Sequence, residues 1–239
     1  MQTDNHHTAV LFFSRSAKAE GARKQFVGEK NRRKNVCVAR SLIEHTHQQL
    51  RQTGLPVYEV DEKLQQGNTF GDRLANAFAF VFSKGYRNVI AVGNDTPELK
   101  SAHIHHAKEL LSEEKAHIVL GPAEDGGTWL MGYSREAFSA PAFRKLPWNS
   151  NRLLHSILEH AGDNFSITLL EPHSDIDNYA SLKAFTGRHG FSKALLRLIE
   201  KIRSIIGLMS VPGKQLNSRL PGWPTLSTQL LRAPPRWIR

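Results

Sequence analysis

Two short apolar runs, each followed at once by an acidic loop, place the strongest constraint on the fold of this chain. The run Asn88–Val92 leads into GNDTPEL, and the run at residues 116–120 leads into GPAEDGG. Short runs that are rich in valine and isoleucine and bounded by glycine or proline predict buried strands. Ligands of an open parallel sheet gather beyond the carboxyl ends of its strands. Asp95, Glu124 and Asp125 are therefore the first candidates for function.

The rest of the chain alternates between patterns typical of strands and of helices. Strands are expected at residues 8–13, 56–60, 88–92, 116–120, 128–133 and 166–170, and helices at 31–52, 70–83, from about 101, 149–160 and 177–185. Residues 14–30 are expected to form a polar, basic loop. The alternation predicts a three-layer α/β domain with a mostly parallel sheet. The spacing between residues 120 and 128 is too short for a crossover helix, so the last strands are expected to run in mixed directions.

The net charge of +10 is unevenly distributed. Seven Lys or Arg residues and no Asp or Glu lie between Lys201 and Arg239. Because the basic excess belongs mainly to the tail and no nucleic-acid-binding motif accompanies it, we expect no nucleic-acid partner.

The C-terminal region has its own pattern. We expect one domain over residues 1–189, followed at 190–239 by a basic amphipathic helix (191–209) and a proline-rich tail. The apolar stripe of this helix favours packing on its own sheet or on a second subunit, which would make a homo-oligomer. Contact with an anionic membrane surface is the less favoured alternative.

The sequence carries no pattern of a membrane or exported protein. No apolar run approaches the ~18 residues that span a bilayer. The N-terminus lacks the basic leader and apolar segment of a signal peptide, and the single cysteine, Cys37, excludes an intramolecular disulfide. We therefore expect a cytoplasmic protein.

Five motifs follow one another in order: QQGNTFGDRLANAF, VIAVGNDTPEL, VLGPAEDGGTWLMGY, LPWNSNRLL and SDIDNYASL. Together they resemble the bacterial family of glycosyltransferase-like proteins known as radical-SAM/selenodomain-associated transferases. The resemblance covers about residues 8–185 and implies the GT-A, or nucleotide-diphospho-sugar transferase, fold. More distantly, the chain is similar to 2-phospholactate guanylyltransferases and molybdenum-cofactor nucleotidyltransferases. The loop after the first strand keeps Arg15, Gly21 and Lys24 of the family pattern but lacks its prolines and its threonine-arginine pair.

The resemblance implies a metal site for Mg²⁺ or Mn²⁺ at Asp95 and Asp177. A leaving nucleotide diphosphate needs its charge neutralised, and Mg²⁺ does this with about two protein carboxylates. Asp175 competes for the second ligand position. The alternative for Asp95 is a helix N-cap, because Asp-Thr-Pro-Glu is also a good capping sequence.

Asp125 is the candidate catalytic residue. It precedes Gly126 and Gly127, which allow the backbone to come close to a sugar or an acceptor. Its carboxylate is expected to position or deprotonate an acceptor hydroxyl. The alternative is structural, since Glu-Asp-Gly-Gly also makes an excellent tight turn between two strands.

Four cationic residues complete the set of candidates. Arg15 and Lys24 are expected to contact the base or the phosphates, and Arg73 begins a helix whose N-terminal amides can meet an anion. Arg152 is expected on the acceptor side. For Arg15 and Lys24 the alternative is a solvated loop charge, and for Arg73 it is a surface salt bridge. For Trp148, close to Arg152, we favour a role in the core.

The preferred function is glycosyl transfer from a nucleotide-sugar to a small hydroxyl-bearing acceptor. The second hypothesis is a nucleotidyltransferase that joins a nucleoside triphosphate to a phosphorylated metabolite. The third is a non-catalytic binding protein on the same fold.

Overall fold

The computed structural model describes residues 7–112, 117–161, 165–188 and 191–207. The strands are β1 (Thr8–Phe13), β2 (Val57–Val60), β3 (Asn88–Val92), β4 (His117–Pro122), β5 (Thr128–Ser134) and β6 (Ser166–Leu169). The helices are α1 (Ala17–Arg23), α2 (Arg32–Gln52), α3 (Phe70–Phe82), α4 (Ser101–Leu111), α5 (Ala140–Arg144), α6 (Leu153–Ala161), α7 (Tyr179–Gly187) and α8 (Lys193–Ile206). The proline-rich tail and residues 208–209 of the helix expected at 191–209 lie outside the described residues.

The strands form one sheet in the order β2-β1-β3-β5-β4-β6. β5 runs antiparallel to both of its neighbours, β3 and β4, and the other pairs are parallel. The expected α/β fold with a mostly parallel, mixed sheet is therefore confirmed. The change of direction falls at the connection between β4 and β5, which is too short for a crossover helix.

Both faces of the sheet are covered, because successive side chains of a strand point to opposite faces. In β1, Ala9 and Leu11 join a cluster with α3, α5 and α6, whereas Val10 and Phe12 join a cluster with α4 and the end of α2. These two clusters form the core of the three-layer structure. They fix the strand ends that carry the candidate site.

The apolar stripe of α8 is buried within its own chain. Ser192 caps the start of this helix, and Gly207, in the left-handed conformation at φ 81°, follows its end. Leu195, Leu198 and Ile202 pack in a third cluster with residues of α2 and α7. Within the described residues, the stripe therefore packs on helices of its own chain and not, as was expected, on the sheet. The alternative of a second subunit and the domain boundary at 189 stay predictions.

Three local expectations were wrong. The expected loop at 14–30 contains α1, whose N-cap Ser16 accepts a hydrogen bond from the amide of Ala19. The helix expected from 149 begins only at Leu153, because Asn149 adopts a left-handed conformation with φ 60° that a helix does not tolerate. The helix expected from 177 begins at Tyr179, after its cap Asn178.

None of the helices in the described part of the chain has the length and apolar character that crossing a bilayer requires.

Candidate functional site

A cavity of about 610 Å³ opens at the carboxyl ends of β1 and β3, beside the start of β5. This is the edge at which a sheet of this kind gathers its ligands. Of the residues expected to be functional, the following line it: Arg15, Lys24, Asp95, Asp125, Gly127 and Asp177.

Two segments far apart in sequence bring the candidate carboxylates together. The amide of Ile176 donates a 2.8 Å hydrogen bond to the carbonyl oxygen of Asp95, which lays the segment after β6 along the loop after β3. The hydroxyl of Thr96 donates to Asp175 Oδ1. Asp95, Asp175 and Asp177 consequently line one wall of the same cavity.

Lys24 lies at the centre of this carboxylate group. Its ammonium nitrogen is 2.8 Å from Asp177 Oδ1, 3.0 Å from Asp95 Oδ2 and 3.3 Å from Glu20 Oε1. It also donates a 3.3 Å hydrogen bond to the carbonyl oxygen of Ile176. The side chain of Lys24 is only 11% exposed, whereas those of Asp95 and Asp177 are 35% and 50% exposed, so the ammonium is the buried member of each pair. A buried charge of this kind needs such partners.

The electrostatics of this group favour the ionised pair. Burial opposes the charged form of Lys24, but the carboxylates of Asp95, Glu20 and Asp177 outweigh it and raise the pKa of Lys24 above its ordinary value. Burial likewise opposes ionisation of Asp95, yet the charge and hydrogen bond of Lys24 hold the pKa of Asp95 below its usual range. Lys24 and Asp95 therefore stabilise each other in the charged state.

Asp175 differs from its neighbours. Burial raises the pKa of Asp175 to about 8, and the nearby charges of Asp95, Asp177 and Asp125 act in the same direction against the hydrogen bond from Thr96. Three like-charged neighbours make a further negative charge unfavourable. In the free protein Asp175 is therefore largely protonated at neutral pH.

Asp95 is not a helix cap. The helix that follows it, α4, begins at Ser101 with the extended residue Lys100 in the cap position. The carboxylate of Asp95 contacts Lys24 instead. Similarly, the N-cap of α7 is Asn178, and the carboxylate of the preceding Asp177 contacts Lys24.

Asp125 combines a place in the cavity with a role in a turn. Its Oδ1 accepts a 2.9 Å hydrogen bond from the amide of Gly127. Asp125 therefore does stabilise the tight turn that was the alternative role for it. Gly126 adopts φ 89°, and a Cβ atom there would overlap the backbone of Asn151. Glycine is thus required at position 126 for the close approach of two loops. Gly127 lines the cavity beside Asp125.

Two of the expected cations lie elsewhere. Arg73 donates through Nη1 to the carbonyl oxygen of Asn68 at 3.3 Å, and the exposed Arg152 donates its amide to Ser150 Oγ at 3.2 Å. Within the described residues, neither joins the cavity lining. The first turns of α3 do reach the cavity through Phe70 and Leu74, but the side chain of Arg73 does not line it, so its expected phosphate contact has no support in the geometry.

Trp148 serves both as a core residue and as a wall of the cavity. Its indole nitrogen donates to the carbonyl oxygen of Phe143 at 2.9 Å, and its ring packs on Phe70 and Phe143 at centroid distances of 5.3 and 4.8 Å. The same residue lines the cavity, next to the left-handed Asn149.

Sequence reasoning missed Glu20 and Arg23, which line the cavity from α1. The four-residue spacing of Glu20 and Lys24 was an available signal, because oppositely charged residues at this spacing pair on a helix. It was missed because no helix was expected there. Gln65, the first residue of the motif QQGNTFGDRLANAF, also lines the cavity and donates to the carbonyl oxygen of Ser14 at 2.8 Å, but the sequence analysis gave it no role.

The carboxylates suit a divalent cation that arrives with a phosphate ligand. In the described ranges, no three His, Cys, Asp or Glu side chains form a ready-made metal site. Mg²⁺ in a nucleotide complex needs only one or two protein carboxylates, because phosphate and water oxygens fill the other positions. Asp95 and Asp177 provide oxygen donors of that kind, although Lys24 takes up an oxygen of each in the free protein.

The fold is that of the nucleotide-diphospho-sugar transferases. The crystal structure of a "putative nucleotide-diphospho-sugar transferase" from Desulfovibrio desulfuricans G20 matches with a TM-score of 0.70 at 20% identity, over 84% of this chain and 96% of that one. Residues 23–150 match DUF2064, a family described as an uncharacterised protein conserved in bacteria. The chain belongs to this family.

More remote structures match over most of their length. A homologue of Mycobacterium tuberculosis Rv0371c from Mycobacterium sp. strain JC1 has a TM-score of 0.45 at 10% identity, over 81% of this chain and 97% of that one. A CMP:2-keto-3-deoxy-manno-octonic acid synthetase in complex with CTP has a TM-score of 0.40 at 11% identity, over 74% and 96%. No curated protein matches the chain.

Proposed function

We propose that the chain is a metal-assisted glycosyltransferase that moves a sugar from a nucleotide-sugar donor to a small hydroxyl-bearing acceptor. The observation that carries the proposal is the group of Lys24, Asp95 and Asp177 in a cavity at the carboxyl ends of β1 and β3. A fold of this kind hosts several chemistries, so the argument depends on this group and not on the fold alone. The association with radical-SAM and selenodomain proteins stays a prediction.

The cavity has the charges that a nucleotide diphosphate requires. Arg15, Arg23 and Lys24 line it and supply positive charge for the phosphates. Asp95 and Asp177 would hold Mg²⁺ or Mn²⁺ together with phosphate oxygens. When bound, such a cation neutralises the charge that develops on the leaving diphosphate.

Asp125 lines the cavity from the turn between β4 and β5. Its hydrogen bond from Gly127 fixes the orientation of the carboxylate. A carboxylate fixed in this way accepts the proton of an acceptor hydroxyl, or holds the hydroxyl towards the sugar. Trp148 provides an apolar wall for the same space.

Thermal-shift measurements with nucleotides test the proposal. We expect nucleoside diphosphates or their sugars to raise the melting temperature more with Mg²⁺ or Mn²⁺ than without, because a ligand that binds only the folded state stabilises it. We expect Asp95→Ala to abolish this metal-dependent response while the protein stays folded. Glu136→Ala, which removes an exposed carboxylate outside the cavity lining, is the matched control.

The same screen separates the other hypotheses. A preference for a nucleoside triphosphate, with release of pyrophosphate in the presence of a phosphorylated metabolite, would replace the glycosyltransferase by a nucleotidyltransferase. If no nucleotide shifts the melting temperature with any metal, the proposal fails and a binding protein on this fold remains.

A further inference from the structure

The ammonium group of Lys24 occupies the position between Asp95 and Asp177 that a divalent cation would need. It contacts an oxygen of each carboxylate, at 3.0 and 2.8 Å, and also Glu20 Oε1 and the carbonyl oxygen of Ile176. An ammonium group has three N–H donors, so these four oxygens saturate it. A side chain of the protein itself therefore occupies the two expected metal ligands.

The single positive charge of Lys24 does not balance the negative charges of the carboxylates around it. Three of them, those of Glu20, Asp95 and Asp177, have an oxygen within 3.3 Å of the Lys24 nitrogen. A divalent cation brings twice the charge and binds carboxylate oxygens directly. Exchange of the ammonium for such a cation would bring the group closer to neutrality.

The exchange requires only the side chain of Lys24 to move. The start of α1 is fixed by Ser16, whose amide and hydroxyl both donate to Glu62 at 2.6 Å. Further along α1, Gly21 packs directly on the backbone of α2. Lys24 itself follows the helix as its C-cap and has a flexible four-carbon stem. Its ammonium can therefore turn from the carboxylates to a phosphate in the same cavity while α1 stays in place.

We propose that Lys24 and a divalent cation are alternative occupants of the Asp95–Asp177 pair. The ammonium holds the two carboxylates in the free protein, and the metal enters as the ammonium leaves for the phosphates of the nucleotide. The competition concerns the protein and the metal alone, whereas the role of the phosphates rests on the proposed function.

Binding of Mn²⁺ to the full-length protein without nucleotide tests the competition, with free Mn²⁺ measured by electron paramagnetic resonance. We expect Lys24→Met to bind Mn²⁺ at least about tenfold more tightly than the parent, because a charge within ~4 Å changes the affinity for a cation by about one to three powers of ten. Lys18→Met removes the same charge from an exposed position on α1 and is expected to leave the affinity unchanged.

Two outcomes of this measurement would overturn the proposal. One is a Lys24→Met protein that binds Mn²⁺ no more tightly than the parent. The other is a gain in affinity that persists when Asp95→Asn is added, since the metal would then lie elsewhere.

The parent protein supplies a second measurement that does not depend on the folding of a variant. A lysine amine that three carboxylates enclose and that is only 11% exposed is shielded from an acetylating reagent, and it becomes accessible when it leaves them. We expect Mn²⁺ or Mg²⁺ to increase the acetylation of Lys24 severalfold, measured by mass spectrometry, and to leave the exposed Lys145 unaffected. If the acetylation of Lys24 is unchanged at metal concentrations that saturate the protein, the exchange is refuted.

Failure of this proposal is distinguishable from failure of the proposed function. If Lys24→Met does not alter Mn²⁺ affinity but nucleotides still stabilise the parent with metal, the exchange is wrong and the function stands. If the variant gains Mn²⁺ affinity but no nucleotide stabilises the parent, the exchange stands and the function is wrong.

Discussion

Gly21→Ala tests whether the close packing of α1 on α2 supports the site. A Cβ atom at position 21 would lie 2.6 Å from both the backbone nitrogen and the Cα atom of Val36, and 2.8 Å from the carbonyl carbon of Asn35. All three are backbone atoms of α2, so no side chain can rotate away to make room. The substitution has to push α1, and with it Lys24, away from α2.

The expected change in the free energy of unfolding is the difference between two opposing effects. Alanine in place of glycine within a helix stabilises by about 1 kcal/mol. Overpacking a close contact destabilises by about 1–3 kcal/mol, and contacts this short belong at the upper end of that range. We therefore expect a net destabilisation of about 2 kcal/mol. For a chain of this size, that lowers the melting temperature by roughly 4–8 °C.

Thermal and urea unfolding of both proteins measure this change, and Gly187→Ala is the matched control. Gly187 is the last residue of α7, and a Cβ atom there would meet nothing within 4 Å. We expect the control to be as stable as the parent or slightly more stable. A Gly21→Ala protein as stable as the parent would show that α1 has room to shift, and the reasoning from close packing would be refuted.

Three further predictions concern Asp125, His103 and helix α8. We expect Asp125→Asn to leave donor affinity within a few-fold and to lower turnover by about 10²–10⁴, as for loss of a general base; an equal loss of donor affinity in calorimetry would move Asp125 into the nucleotide site. Burial lowers the pKa of His103 to about 4, with the charge of His173 acting in the same direction. Because the pKa of His103 is depressed in the folded state, its stabilising contribution is present above about pH 6.5 and is lost as the pH falls towards 4. After discounting for its partial exposure, we expect His103→Gln to remove about 1 kcal/mol of the pH dependence of urea unfolding between pH 7 and pH 5, and identical pH dependences would contradict this. We expect Ile202→Ala, at a fully buried position of α8, to lower the free energy of unfolding by about 2–5 kcal/mol, whereas Leu196→Ala, at an exposed position, changes it little. Equal unfolding midpoints of the two variants would show that α8 does not contribute to the core.

The sheet was predictable because each strand carries its own signal. The strand Asn88–Val92 is buried at every position, which is why its last four residues form an uninterrupted apolar run. The reversal of β5 followed from chain length alone, since no crossover fits between β4 and β5. These features depend on residues that are neighbours in sequence.

Helix α1 was not predictable in this way, because little within it favours a helix in isolation. It has seven residues, of which Glu20 and Gly21 are buried, and no apolar stripe. Helices this short are marginal in water unless tertiary packing stabilises them. The packing partners of α1 are Val36 on α2 and Glu62 after β2, and no local pattern identifies either of them.

Because α1 was not predicted, the sequence indicated that Lys24 belongs to the site but did not identify the carboxylates that it contacts. Its bond to Asp95 joins residues 71 positions apart, and its bond to Ile176 joins residues 152 apart. A lysine that is 11% exposed has to be neutralised, so the partners follow as soon as its burial is known. Burial of Lys24, however, is a consequence of the packing of α1 on α2. The charge arrangement of the site therefore depends on an uncharged contact, that of Gly21 with the backbone of Val36 and Asn35.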